Sequence, residues 1–212
     1  GLTHRMLDLG AEGLSEDDIA RNLADIGAQF GKNFDADRAG ISLRTLSSTA
    51  ERVQALDILA RVLQHPLFKE DVLAREKTRL IAGLKEDETK PERIAEKAFG
   101  KAVFGIHPYG LPSAGEVATV ENIQRADIEA FYRSHYLAKT AVVAIMGDVT
   151  RAEAEAIAQN LTAQLPQGVE AVQVAPVTMQ IKANEQRIIH PATQSHILMG
   201  APGLARKDPD YF

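Results

Sequence analysis

The sequence predicts an α+β fold. Apolar residues at helical spacing dominate the first half of the 212 residues, strands are few and short, and the clearest strand pair reads as an antiparallel hairpin. A doubly wound parallel fold would instead alternate strand and helix regularly. The length suits one substantial domain or two small ones.

Leu2, Met6, Leu7 and Leu9 mark a first amphipathic helix, broken near Gly10 and Gly13. Ser15, with Asp18 three residues on, forms a capping box with Asp in place of Glu. The helix it opens has Ile19, Leu23 and Ile26 on its apolar face and stops at Gly27. Two alternating segments follow: Ala28, Phe30 and Phe34, then Ala39, Ile41, Leu43 and Thr45, joined through Asp35 to Arg38 as a hairpin.

Three helices come next. They run from Thr49 to Leu63, closed by His65-Pro66; from Lys69 to Glu88; and from Pro91 to Val103, with proline in the first turn. Glycine and proline make 105–112 a loop. A helix from Val120 to Tyr136 leads to an apolar strand, Ala141 to Met146, a turn at Gly147-Asp148, and a helix from Arg151 to Leu165. A first domain over 1–166 is therefore expected, then a linker over 167–176 where glycine, proline and glutamine take over. Val177 to Ile181, Arg187 to His190 and His196 to Met199 read as strands of a new unit, 177–212. The chain opens without Met and ends just after Lys207-Asp208-Pro209-Asp210, a helix-start pattern, so both ends read as cut.

Composition narrows the function classes. A net charge of -5, with cations scattered among acids, leaves no basic stripe for nucleic acid. No apolar run reaches the ~18 residues of a membrane span. The absence of cysteine removes disulfides, thiolate zinc sites and cysteine nucleophiles. There is no glycine-rich phosphate loop and no G-x-S-x-G elbow.

His4 and Asp8 stand four apart, the spacing by which a helix grips a metal, and equally that of an ordinary polar helix face. The other histidines lack ligand spacing on a common element. His65 sits at a helix end, His107 and His135 in or beside loops, and His190 and His196 in the second unit. Asn160-Leu161-Thr162 matches a glycosylation sequon inside a helix and is read as chance.

A set of landmarks carries a resemblance: Gly1 through Ser15, Gly27-Ala28, the strand from Ile41 to Leu46, His65-Pro66-Leu67-Phe68, Arg75-Glu76-Lys77, Phe104-Gly105-Ile106-His107-Pro108-Tyr109-Gly110, Phe131 to Tyr136, and Gly147-Asp148-Val149. Taken in order they resemble the insulinase-type zinc peptidases, family M16, over nearly the whole chain. The resemblance implies an αβ roll, an antiparallel sheet with helices packed on one side, followed by the start of a second similar unit.

In that family the motif H-x-x-E-H supplies two histidine ligands and a glutamate base that activates the zinc-bound water, and a later helix supplies a further glutamate ligand. Matched position by position, His4 keeps the first ligand, Leu7 holds the base position, and Asp8 the second histidine. The later ligand falls at Gly83, while the supporting acid is kept as Glu76. Leu7 accepts no proton and Gly83 offers no donor, and rescue by Glu86 or Glu76 would need ligand, base and geometry rebuilt together. No catalytic or metal residue is therefore expected and no cofactor, zinc belonging to catalytic relatives.

The resemblance implies a non-catalytic subunit that pairs with a catalytic sibling and helps to enclose or bind peptide. The substrate-reaching Arg and Tyr of some such partners would lie beyond Phe212. The alternatives are a structural or assembly protein that binds no peptide, and an active zinc metalloendopeptidase. Exported bacterial relatives suggest the periplasm.

Overall fold

The computed structural model describes residues 1–168, 174–178, 182–201, 203–205 and 208–211. Helix α1 is Leu2–Met6, shorter than its apolar pattern suggests. Residues 7–9 turn out of it, with the Leu9 N–H donating to the Met6 carbonyl at 3.2 Å. Residues 10–14 then pack against the His65–Phe68 corner, where the Glu12 N–H meets the His65 carbonyl at 3.0 Å and the Leu67 N–H meets the Gly10 carbonyl at 3.0 Å.

Helix α2, Glu16–Asp25, opens with the capping box read from the sequence: the Asp18 N–H donates to Ser15 Oγ, and the Ser15 N–H to the Asp18 carboxylate, both at 3.1 Å. It ends in a Schellman turn at Gly27, whose φ of 64° suits a residue without Cβ. There the Ala28 N–H closes on the Leu23 carbonyl at 2.9 Å. Ser15→Ala should cost about 1 kcal/mol in denaturant unfolding, with an unchanged m-value.

The hairpin is β1, Gln29–Phe34, against β2, Ala39–Arg44, antiparallel, with Phe30 opposite Leu43 and Lys32 opposite Ile41. Alternation puts Phe30, Lys32, Phe34, Ile41 and Leu43 on one face. Phe30, Ile41 and Leu43 pack against the core. The connecting turn is tied by Asp35, whose carboxylate accepts the Asp37 and Arg38 N–H groups at 2.9 and 2.8 Å.

Helices α3 (Thr49–Gln64), α4 (Glu70–Asp87) and α5 (Pro91–Phe104) follow as the pattern predicts, with Pro91 at the first turn. A short 3-10 turn over Pro108–Gly110 occupies the expected loop. Helix α8, Arg151–Thr162, packs on α3, and α1 packs on α4 and on α7, Arg125–His135. The core gathers Leu2, Met6, Leu7, Ile19, Leu23, Ile58, Val62, Phe68, Val72, Leu73, Ile128 and Tyr132.

Three expectations need correction. Val120 to Tyr136 is not one helix but two, α6 (Val117–Asn122) and α7. Ile123 turns extended, and Asp127 accepts the Gln124 N–H at 2.8 Å, a cap that starts a new helix. Ala141 to Met146 is not in a ladder among the described residues, and Val142 and Met146 are 93% and 100% exposed. Arg187 to His190 and His196 to Met199 likewise form no strand. Apolar, β-branched composition nominates a strand, but a neighbour must complete it, and among the described residues none lies alongside. In Val177 to Ile181, residues 177–178 are irregular and 179–181 lie outside the described residues, as do 169–173 of the expected linker.

Candidate functional site

The residues matching the zinc motif sit where α1 meets α4, α7 and the inner face of the hairpin. Burial of Leu2, Thr3, His4 and Met6 turns nearly the whole of α1 inward. His4 is 5% exposed. Its ring lies between Phe34 and Tyr136, with centroids 5.9 and 6.4 Å away. Nδ1 is hydrogen-bonded to the Tyr136 hydroxyl at 2.9 Å, and Nε2 is buried without a hydrogen-bond partner.

Desolvation in this apolar slot holds the His4 pKa below the usual histidine value, and Lys32 adds to it. Asp8 and the Gly40 backbone, near enough to favour the protonated form but short of a formed hydrogen bond, pull the other way. Burial likewise raises Tyr132, to about 12, and Tyr136. At neutral pH the cluster is an uncharged aromatic stack around one imidazole.

The sign of the pH effect follows. Folding favours neutral His4, so its contribution is complete above the unfolded value of ~6.5 and is lost as pH falls through the lower folded value. Chemical denaturation from pH 7.5 down to pH 5 should show falling stability. His4→Phe should flatten that decline, and an unchanged slope would count against this account.

The residues that would complete a metal site are not brought to His4 as donors. Asp8 lies past the end of α1, in the turn, and its carboxylate pairs with Lys32 Nζ at 2.5 Å. The same amine donates to the Arg5 carbonyl at 2.9 Å. Leu7 has 0% exposure: the base position is filled by core side chain, which is more than the loss of a carboxylate. At Gly83 an added Cβ would meet nothing within 4 Å, so the later ligand position is open space.

Glu76 is 6% exposed and sits between two guanidinium groups, accepting Arg75 Nε at 3.2 Å and Arg79 Nη1 at 2.9 Å. Arg75 reaches on to Glu16 at 2.6 Å, tying α4 to the first turn of α2. Glu86 is held at Lys90, 2.7 Å away. Among the described residues no group of three or more His, Cys, Asp or Glu could hold a metal ion. At this site His4 Nε2 is open but, among the described residues, no companion donors join it, and the residues present do not fit the family's zinc ion.

Two shallow cavities flank this region. One, of ≈ 370 Å³, lies between α2 and β1 and is lined by Ile19, Leu23, Ala28 and Phe30 together with Asp8 and Glu16. The other, of ≈ 230 Å³, lies at Gly83 on α4 and is reached by Arg5 and Arg79. Farther off, Tyr109 donates to Asp37 at 2.5 Å and His107 Nε2 bonds the Ala175 carbonyl at 2.8 Å, so the 105–112 loop braces the hairpin turn.

Sequence reasoning missed Lys32, Tyr136 and the two arginines. Strand parity carried a signal for Lys32, since Phe30, Lys32 and Phe34 share a face and two of the three are aromatic. Nothing local signals that Tyr136 closes on His4 across 132 residues.

Residues 1–116 match the family "Insulinase (Peptidase family M16)", and residues 122–212 match "Peptidase M16 inactive domain". An uncharacterized zinc protease of Rickettsia bellii is 27% identical over 150 residues, 71% of this chain and 36% of its own. A probable mitochondrial-processing peptidase subunit beta of Arabidopsis thaliana is 25% identical over 167 residues, 79% of this chain and 30% of its own. The chain thus spans about a third of the length of these two relatives.

The solved structure of a peptidase M16 inactive domain from Pseudomonas fluorescens is similar at a TM-score of 0.81 and 35% identity, over 84% of this chain and 43% of that one. Pitrilysin, 19% identical, shares the fold at a TM-score of 0.66, over 84% of this chain and 20% of its own. Since the insulinase match alone takes in more than half of the residues, the chain belongs to peptidase family M16, with its H-x-x-E-H motif in degenerate form.

Proposed function

We propose that the chain is a non-catalytic M16 subunit that pairs with a catalytic sibling and helps to enclose or bind peptide substrate. The observation that carries this reading is the pairing of Leu7, wholly buried at the base position, with Gly83, which brings no donor to the later ligand position. Hydrolysis by the family's route needs a base within hydrogen-bond reach of a zinc-bound water, and these two positions supply neither base nor ligand.

Two features support peptide binding. Among the described residues β1 is paired on one edge only, by β2, and an extended peptide can add to an open strand edge through main-chain hydrogen bonds. Beside β1 lies the larger cavity, lined by Ile19, Leu23, Ala28 and Phe30, with the ion-paired Asp8 and Glu16 among its lining, where alternate side chains of such a peptide would settle. A relative that is itself a subunit of a processing peptidase supports the pairing. We propose no resident cofactor and, from the resemblance, the periplasm as compartment.

The test is co-purification with an M16 protein carrying an intact H-x-x-E-H helix, followed by peptidase assays of each protein and of the mixture. The reading predicts no turnover by this chain alone and a rise in the sibling's turnover on mixing. A chain that neither binds peptide nor alters the sibling's rate is a scaffold instead.

A further inference from the structure

Resting on the peptide-binding reading above, we propose that the cavity at Gly83 receives the C-terminal carboxylate of a peptide that ends in an apolar residue. Helix α4 sets Arg79, Gly83 and Asp87 four residues apart along one face, and α1 brings Arg5 in from the side. Leu80, Leu84 and Ala114 supply the apolar wall. Gly83 is what keeps the cavity open, because a side chain there would grow into unoccupied space.

Charge points to an anion. Arg5 has no carboxylate partner among the described residues, and Arg79 shares a single contact with Glu76. A guanidinium fork matches a carboxylate in geometry as well as in sign. Asp87 opposes an anion, and Lys90 and Arg93, each 3.9 Å from it but closer to Glu86 and Glu96, offset its charge only in part. Where catalytic relatives hold a cation with carboxylate and imidazole, this chain presents two guanidinium groups and one carboxylate around a void.

Size points to a chain end. At ≈ 230 Å³ the cavity is smaller than the ~300–1,000 Å³ of ordinary small-molecule sites, enough for one terminal residue. An internal Asp or Glu would have to bring chain in on both sides. A terminal residue sets its carboxylate against Arg5 and Arg79 and its side chain against Leu80 and Leu84.

The test uses a fluorescently labelled peptide ending Ala-Ala-Leu, prepared as the free acid and as the C-terminal amide, titrated into the chain by anisotropy. The free acid should bind at least about tenfold tighter than the amide, the worth of a charge-assisted contact. Arg5→Ala, at an exposed position and checked for folding by thermal melting, should bring the acid down to the amide's affinity, and Gly83→Glu should do the same. Equal binding of acid and amide, or indifference to Arg5→Ala, overturns the carboxylate site while leaving peptide binding standing. If neither form binds, the peptide-binding reading falls with it.

Discussion

Leu7→Glu is expected to destabilise the chain by on the order of 4 kcal/mol or more, and to leave it largely unfolded at 37 °C. Leu7 touches no solvent and packs in the cluster with Met6, Val62 and Phe68. Two costs add. Removing a fully buried leucine costs about 2–5 kcal/mol through lost transfer energy and packing. A carboxylate left there without a partner adds its own desolvation, or else stays protonated. Leu7→Met, which conserves volume, should cost less than about 1.5 kcal/mol. Urea unfolding of the two variants side by side measures the difference, and a Leu7→Glu chain as stable as the parent would remove Leu7 from the core. The base was not merely deleted: the space around it has become hydrophobic core, so putting the glutamate back restores a residue type without its setting.

The second large effect is at Glu76. Its carboxylate accepts two charge-assisted hydrogen bonds, from Arg75 and Arg79, while exposing 6% of its surface. Glu76→Ala should cost about 2–3 kcal/mol, because bonds to a charged acceptor are worth about 1.5–3 kcal/mol each and the exposed arginines recover part of the loss in water. Glu76→Gln keeps the shape and one acceptor and should cost about half as much. Arg75→Ala also cuts the tie from α4 to Glu16 on α2. If the network acts as a unit, Glu76→Ala and Arg75→Ala combined should cost less than the sum of the two, which a double-mutant cycle reads directly. Additive costs would mean that Glu76 and Arg75 act separately.

Local features of the fold were legible in the sequence. The Ser15–Asp18 box, the Gly27 stop, the Asp35–Arg38 turn and Pro91 are decided by residues within a few positions of one another, and the structure repeats each. What failed depended on distant partners or on weak caps. Ala141 to Met146 has strand composition, but composition does not supply the neighbour that makes a ladder. The break between α6 and α7 rests on Gln124, a residue rarely noticed as a cap, with Asp127 answering it.

The candidate site divides in the same way. Matching the residues to the family's motif told that His4 survives and that Leu7, Asp8 and Gly83 do not match. The helical spacing already put Leu7 with the apolar residues of the first helix, but it could not tell that Asp8 is taken by Lys32 from the hairpin or that Tyr136 closes the His4 slot, since both depend on packing between segments far apart in the chain. Read as a kept support for a metal ligand, Glu76 proves to join α4 to α2 through Arg75.

We propose that this chain holds no catalytic zinc. Metal analysis of the purified protein after equilibration with micromolar zinc, run beside a peptidase assay, tests it most directly. Zinc far below one ion per chain, no hydrolysis, and no change in either when His4 is replaced by Phe are the expected results. One tightly bound zinc per chain, lost together with peptide hydrolysis in His4→Phe, would contradict it.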